Sequence, residues 1–174
     1  MASNQRQPHG PAMTLGNMRA AALRKADYAK RFKLAGQTQR WAVTMTKVAI
    51  RQAVTRTPFP RWHFVSFGGR EGNEARGVVD LIAVRKDHGT PRKKLKRGDT
   101  FQIVLIQVKG GAAAYPTAED GERLRAVARY HHAHRVLLAS WRKGKSAQFF
   151  ELRPKASTGK IDWVKLPDVS AAFS

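Results

Sequence analysis

The chain has 174 residues, enough for one domain with a real core plus a tail. Lys and Arg number 33 against 12 Asp and Glu, a formal net charge of +21 spread along the whole length, so the partner expected is a polyanion: DNA first, an anionic membrane surface as the competing choice. There is no Cys, which excludes disulfides, thiolate chemistry and Cys-based zinc sites, and no apolar run long enough to span a bilayer.

In chain order, residues 1 to 15 mix Gln, Pro, Gly and Asn without periodicity and are expected to be mobile and dispensable for folding. Polar Asn4, Gln5 and Gln7 stand where a signal peptide would be hydrophobic, which implies a cytoplasmic protein. From Met18 to Leu34, the basic residues Arg19, Arg24, Lys25, Lys30, Arg31 and Lys33 interleave with Ala, Leu, Tyr and Phe. That composition suits a basic helix or, equally, a solvated tail that orders on binding. Gly36 is expected to break the pattern, so residues 1–36 read as a flexible basic N-terminal extension and 37–174 as the folded domain. Gln37 to about Thr55 then reads as an amphipathic helix against a sheet, with Trp41, Met45 and Val48 at helical spacing and Ile50, Ala53 and Val54 extending the apolar surface. Pro58 and Pro60 end it.

Arg61 to Phe67 alternates apolar and polar residues as a first strand, and the glycines of 68–77 mark a loop. Two strands follow, Gly77–Val84 and Phe101–Lys109, joined by a long connection from Lys86 to Asp99 with six basic residues against two acidic. That connection reads either as a solvated tip or, favoured by the overall charge, as an arm along a phosphate backbone. After Gly110 and Gly111, which allow a close approach beside Lys109, Thr117 is placed as the N-cap of a helix to about His132, with Glu119, Asp120 and Glu122 in its first turn and Leu124, Val127, Ala128 and His131 on one side. Arg135–Trp141 and Ala147–Arg153 are two further strands. The order helix, three strands, helix, two strands is an α/β arrangement with helices flanking a mixed sheet. Trp62, Trp141, Phe149 and Phe150 are core candidates before they are base-stacking platforms. His131, His132 and His134 suit core filling or phosphate contact better than a metal site, because neighbouring helical positions diverge and no acid or Cys joins them.

The two central strands carry polar residues where core is expected. Strand alternation puts Gln107 and Lys109 on one face behind Phe101, Ile103 and Leu105, and Asp80 among Val78, Ile82 and Val84. A carboxylate, an amide and an ammonium there each cost several kcal/mol, about 2–7 for the neutral amide alone, unless partnered. A shared hydrated metal site would partner them.

Gly77, Val78, Val79 and Asp80, followed in the next strand by Ile106, Gln107, Val108, Lys109 and Gly110, resemble the PD-(D/E)xK nuclease superfamily in the QxK form of the Mrr-type restriction endonucleases. The resemblance covers about Gln37 to Pro154. It implies a restriction-endonuclease-like core, a metal-dependent DNA endonuclease, and Mg2+ as cofactor with Mn2+ as a substitute. It makes Asp80 the anchoring ligand, Gln107 a ligand through its side-chain oxygen, the Val108 carbonyl a further ligand, and Lys109 the group that orients water or stabilises the phosphorane. Gln in the acidic position makes another acid more important. The first helix has no carboxylate from Gln37 to Arg56, which leaves Glu71 or Glu74, of which Glu74 lies closer to the Asp80 strand. Arg70, Arg76, Lys86, Arg92, Lys93, Lys94, Lys96 and Arg97 are the expected phosphate contacts. The partner implied is DNA and not a membrane, and a homodimer is an arrangement the resemblance admits. The alternative is a basic nucleic-acid-binding protein that keeps the fold without the chemistry.

Overall fold

The computed structural model describes residues 15–55, 61–67, 77–89, 94–154 and 161–173. The chain divides into two compact units, Met1–Ala35 and Gly36–Ser174. Helix α1 (Leu15–Val54) contributes to both, so Gly36 does not end it. A glycine inside a helix costs only about 1 kcal/mol relative to Ala, and the residues on either side are good helix formers. Of the first unit the helical part is described. Leu23, Tyr28 and Phe32 are exposed there, and Arg31 pairs with Asp27 one turn away at 2.8 Å, worth a few tenths of a kcal/mol, roughly 0.2–0.5. The expectation for residues 1–14 lies outside the described residues. No helix among the described residues is long and apolar enough to cross a membrane.

The second unit is α/β, as the sequence implied. Strands β1 (His63–Ser66), β2 (Leu81–Lys86), β3 (Phe101–Gly110), β4 (Arg135–Trp141), β5 (Gln148–Pro154) and β6 (Ile161–Lys165) form one mixed sheet in that order. All neighbours are antiparallel except β3 and β4. That parallel pair requires a crossover, which α2 (Ala118–Tyr130) supplies. Strand β6 and a short 3-10 helix at Val169–Ala172 were not anticipated, and the second strand begins one residue after Asp80.

Strand β3 is apolar on both faces because both are covered. Val104, Ile106 and Val108 join Ala42, Val43 and Ile50 of α1 in the larger core, while Leu105 joins Leu124 and Ala128 of α2 on the other face. The buried face of α1 matches the expected one in part: Ile50 is fully buried and Ala53 and Val54 pack against the core, while its first turns differ. Ala42, Val43, Thr46 and Ile50 are buried, whereas Trp41 is 52% exposed and Met45 and Val48 are only half-buried. Near Gly110 the inward side chains are small because the helix lies close on the sheet there: a Cβ on Gly110 would sit 3.1 Å from the Ala42 Cβ and 3.2 Å from the Thr38 carbonyl. The glycine therefore admits helix backbone.

Helix α2 starts on the expected Thr117 cap, whose hydroxyl accepts from the Asp120 N–H at 3.1 Å while the Asp120 carboxylate accepts from the Thr117 N–H at 3.1 Å. It ends at Tyr130, and His131 is its exposed C-cap instead of part of its buried side.

The larger core is closed by the C-terminal segment. Phe173 is fully buried and meets Trp62 edge-on at 5.1 Å. Its carbonyl accepts from Trp62 Nε1 and from Arg85, both at 3.2 Å, and the Arg85 guanidinium stacks over the Trp62 ring at 4.5 Å. Phe173→Ala is expected to cost about 3–5 kcal/mol, read as a lower urea midpoint at unchanged slope. A loss under about 1 kcal/mol, the scale of ordinary surface changes, would mean that the segment is an appendage to the core.

Candidate active site

Antiparallel register places the expected polar residues together. Leu81 pairs with Ile106, so one step further Asp80 stands opposite Gln107, and Lys109 follows two residues on along the same face of β3. This face is the one toward α2, at the end of the sheet where that helix begins.

Asp80 is fixed by its backbone and its carboxylate. Its N–H donates to the Ile106 carbonyl at 3.0 Å, its carbonyl accepts from the Phe67 N–H at 3.1 Å, and Oδ2 accepts from the Val108 N–H at 2.7 Å. Burial pushes the carboxyl above its usual range, against the opposing effects of the Val108 N–H, the Lys109 charge and the Gln39 side chain. Gln107 is 5% exposed, and its Oε1 is buried without a hydrogen-bond partner among the described residues. Lys109 is half-buried, and its charge acts on both Asp80 and Asp120.

Two contributors escaped the sequence reading. Gln39, on α1, donates through Nε2 to the Val108 carbonyl at 2.9 Å and also bonds the Asp80 side chain. A search of that helix for carboxylates passes over an amide. Its signal in the sequence was a polar residue one turn before the small face at Ala42. Asp120 was read only as a helix-dipole acid. Its carboxyl is held below the usual range first by the Thr117 N–H and then by the Thr117 hydroxyl, with Lys109 and Arg123 adding their charges. It stands in the first turn of the helix that begins beside the Lys109 end of β3.

The fit of these groups to a divalent metal is partial. The donors are oxygens, one carboxylate and one orphaned amide oxygen, which suit a hard cation that keeps several waters. The Val108 carbonyl, expected as a ligand, already accepts from Gln39 and keeps one lone pair. Among the described residues no three His, Asp or Glu side chains form a cluster able to hold a metal. Glu71, Glu74, Arg70 and Arg76, like Arg92 and Lys93, lie outside the described residues. Lys86, Lys94, Lys96 and Arg97 are exposed at the far end of β2 and β3, roughly 20 Å from Asp80 over the six residues of β2.

No family model matches the chain, and no curated protein matches it. Among solved structures it is similar to Hjc of Archaeoglobus fulgidus, a Holliday junction resolvase from an archaeal hyperthermophile, at 16% identity over 77% of this chain and 93% of that one, with a TM-score of 0.43.

Because folding raises the Asp80 pKa, the native chain holds this proton more tightly than the unfolded chain does. The metal-free protein therefore loses stability as pH rises from about 3.8 through the folded value, and the full cost is present above it. Asp80→Asn is expected to raise the urea midpoint at pH 7 in EDTA, with the gain vanishing below about pH 3.8. A loss of stability at pH 7 would mean that the Val108 N–H and Lys109 outweigh burial.

Proposed function

We propose that this chain is a metal-dependent DNA endonuclease of the PD-(D/E)xK type in its QxK form. The observation that carries the reading is the buried, unpartnered Oε1 of Gln107 directly across from Asp80, with Lys109 next on the same face. An orphaned acceptor in a core strand costs about 1–3 kcal/mol, and a cation beside Asp80 would satisfy it. The α/β fold with a mixed sheet accords with the same reading.

Asp80 and Gln107 would hold the metal, with Glu74 as the additional acid and Mg2+ as the natural ion, replaceable by Mn2+. When bound, such an ion lowers the pKa of a coordinated water and polarises a phosphoryl oxygen. The chain's own residues do the rest. The Val108 N–H orients the Asp80 carboxylate through Oδ2, and Gln39 braces both Asp80 and the Val108 carbonyl. The Lys109 ammonium orients the attacking water and neutralises the charge that develops on the phosphorane, a role realised in the transition state and not in binding. Dispersed Lys and Arg, a net charge of +21, hold the DNA backbone.

A second reading, a nucleic-acid-binding protein without the chemistry, is favoured by one observation. Amides at Gln39 and Gln107 leave Asp80 as the one carboxylate among the described residues that bonds within this group. Incubation with supercoiled and branched DNA in Mg2+, Mn2+ and EDTA separates the two. Metal-dependent cleavage is expected, reduced at least about 100-fold by Lys109→Ala, in line with loss of a transition-state charge contact, and similarly by Asp80→Asn and Glu74→Gln. Affinity measured in Ca2+ should change little, since binding rests on other residues. Gln107→Glu should keep or raise activity with altered metal preference. If the wild type cleaves nothing with any divalent metal and Gln107→Glu creates no activity, the binding reading stands.

A further inference from the structure

A second polar concentration lies at the opposite end of the sheet. A cleft of about 680 Å³ opens between the end of α2, the starts of β3 and β4 and the end of β5, lined among others by Phe101, Arg125, Arg129, His132, Arg135 and Arg153. Phe101 is eight residues from Lys109 along β3, about 26 Å at strand rise, so the cleft is separate from the candidate active site. Its acids are Asp87 and Glu151.

The cleft is organised. Glu151 is 7% exposed and receives Arg135 Nη1 at 3.1 Å on Oε1, while Oε2 takes Arg153 through Nε at 2.7 Å and through Nη2. One buried carboxylate thus orients two guanidinium groups whose side chains are still 35% and 50% exposed. Each guanidinium has five N–H donors in a planar fork, so donors remain for an external anion. Arg125 and Arg129 stand one turn apart on the same side of α2. They are not needed to cap its last carbonyls, because the Ala133 N–H bonds the Ala128 carbonyl at 2.8 Å and the His132 N–H bonds the Arg129 carbonyl at 3.2 Å.

In that terminating motif His132 holds the left-handed position, φ +51°, which glycine occupies without penalty. The imidazole at this left-handed position lines the cleft. Phe101 is 55% exposed at the mouth. It is shared with a neighbouring cavity of about 410 Å³ lined by Lys86, His88 and Arg61, which continues the basic track toward the β2–β3 connection.

We infer that this cleft binds the phosphodiester backbone of a single-stranded nucleic acid, with Phe101 as the platform for an unpaired base. Ordered guanidinium groups match phosphate oxygens, and an exposed ring between basic residues is the arrangement by which proteins hold single strands irrespective of sequence. A base within a duplex offers no free face to such a ring. The assignment does not depend on cleavage at Asp80.

Binding of a fluorescein-labelled 12-nucleotide oligothymidylate to the full chain in EDTA, across a salt series, tests it. Arg125→Ala with Arg129→Ala should weaken binding at least tenfold and lower the log-log salt slope by about 1.4, two phosphates at roughly 0.7 each. Lys143→Ala with Lys145→Ala, the same charge change on the β4–β5 turn, should weaken it less than threefold. Phe101→Ala should weaken the single strand and not a duplex of equal length, and Phe101→Trp should restore it. His132→Gly should weaken binding while raising Tm by about 2 °C, since the backbone penalty is relieved. Equal effects of the two charge pairs, an unchanged single-strand affinity in Phe101→Ala, or full displacement of the oligonucleotide by thymidine monophosphate at equal phosphate concentration would each overturn the inference, the last in favour of a small-anion site.

Discussion

The close approach of α1 to β3 is the constraint on which the second unit depends. With Ala42 and Thr38 against Gly110, the helix lies close on the strand, and a side chain at position 110 would require it to give by a few tenths of an ångström. That proximity is what brings Gln39 within 2.9 Å of the Val108 carbonyl and into contact with Asp80. It also explains Thr46, fully buried, whose hydroxyl donates back to the Ala42 carbonyl at 2.8 Å and accepts from Trp141 Nε1 at 2.8 Å.

Two physical kinds stand out among the buried and half-buried polar groups of the described residues. Thr46 and Glu151 are satisfied by neighbours, Thr46 in the helix–sheet layer and Glu151 by two arginines, and they organise structure. Gln107 and Asp80 are different: one has an acceptor without a donor, and the other carries a charge that burial disfavours. Groups of the second kind lower stability, and they gather at one end of β3 where a cation or substrate would relieve them. The cleft at the other end has the opposite character, an excess of cations held in order by an acid.

Much of this was legible in the sequence. Alternation alone put Asp80, Gln107 and Lys109 in core-like strands and Gln107 and Lys109 on one face, because the two-residue period of a strand is a property of the backbone and not of its surroundings. Thr117 as cap and the acids of the first turn announced α2, because capping and the helix dipole act locally. The mixed sheet followed from counting strands and helices, apart from β6, an edge strand of only five residues with Asp162 and Lys165 among its three apolar ones.

What the tertiary structure decided is everything that depends on separation in space. Residues Trp41, Met45 and Val48 looked like the inward face of α1 together with Ile50, yet beside Gly110 the close helix–sheet distance put Ala42 inward, with Val43 and Thr46, and left Trp41 exposed. Gly36 looked like a stop, but its cost of about 1 kcal/mol is too small to end a helix when the turns on both sides are formed. Gln39, Asp120 and the cleft around Phe101 and His132 join residues tens of positions apart, and no local pattern encodes such meetings. Composition and period specified the charge and the alternating faces of the strands; only packing determined which groups are buried and which share an electrostatic neighbourhood, because hydrogen bonds and fields act over a few ångströms of space whatever the distance along the chain.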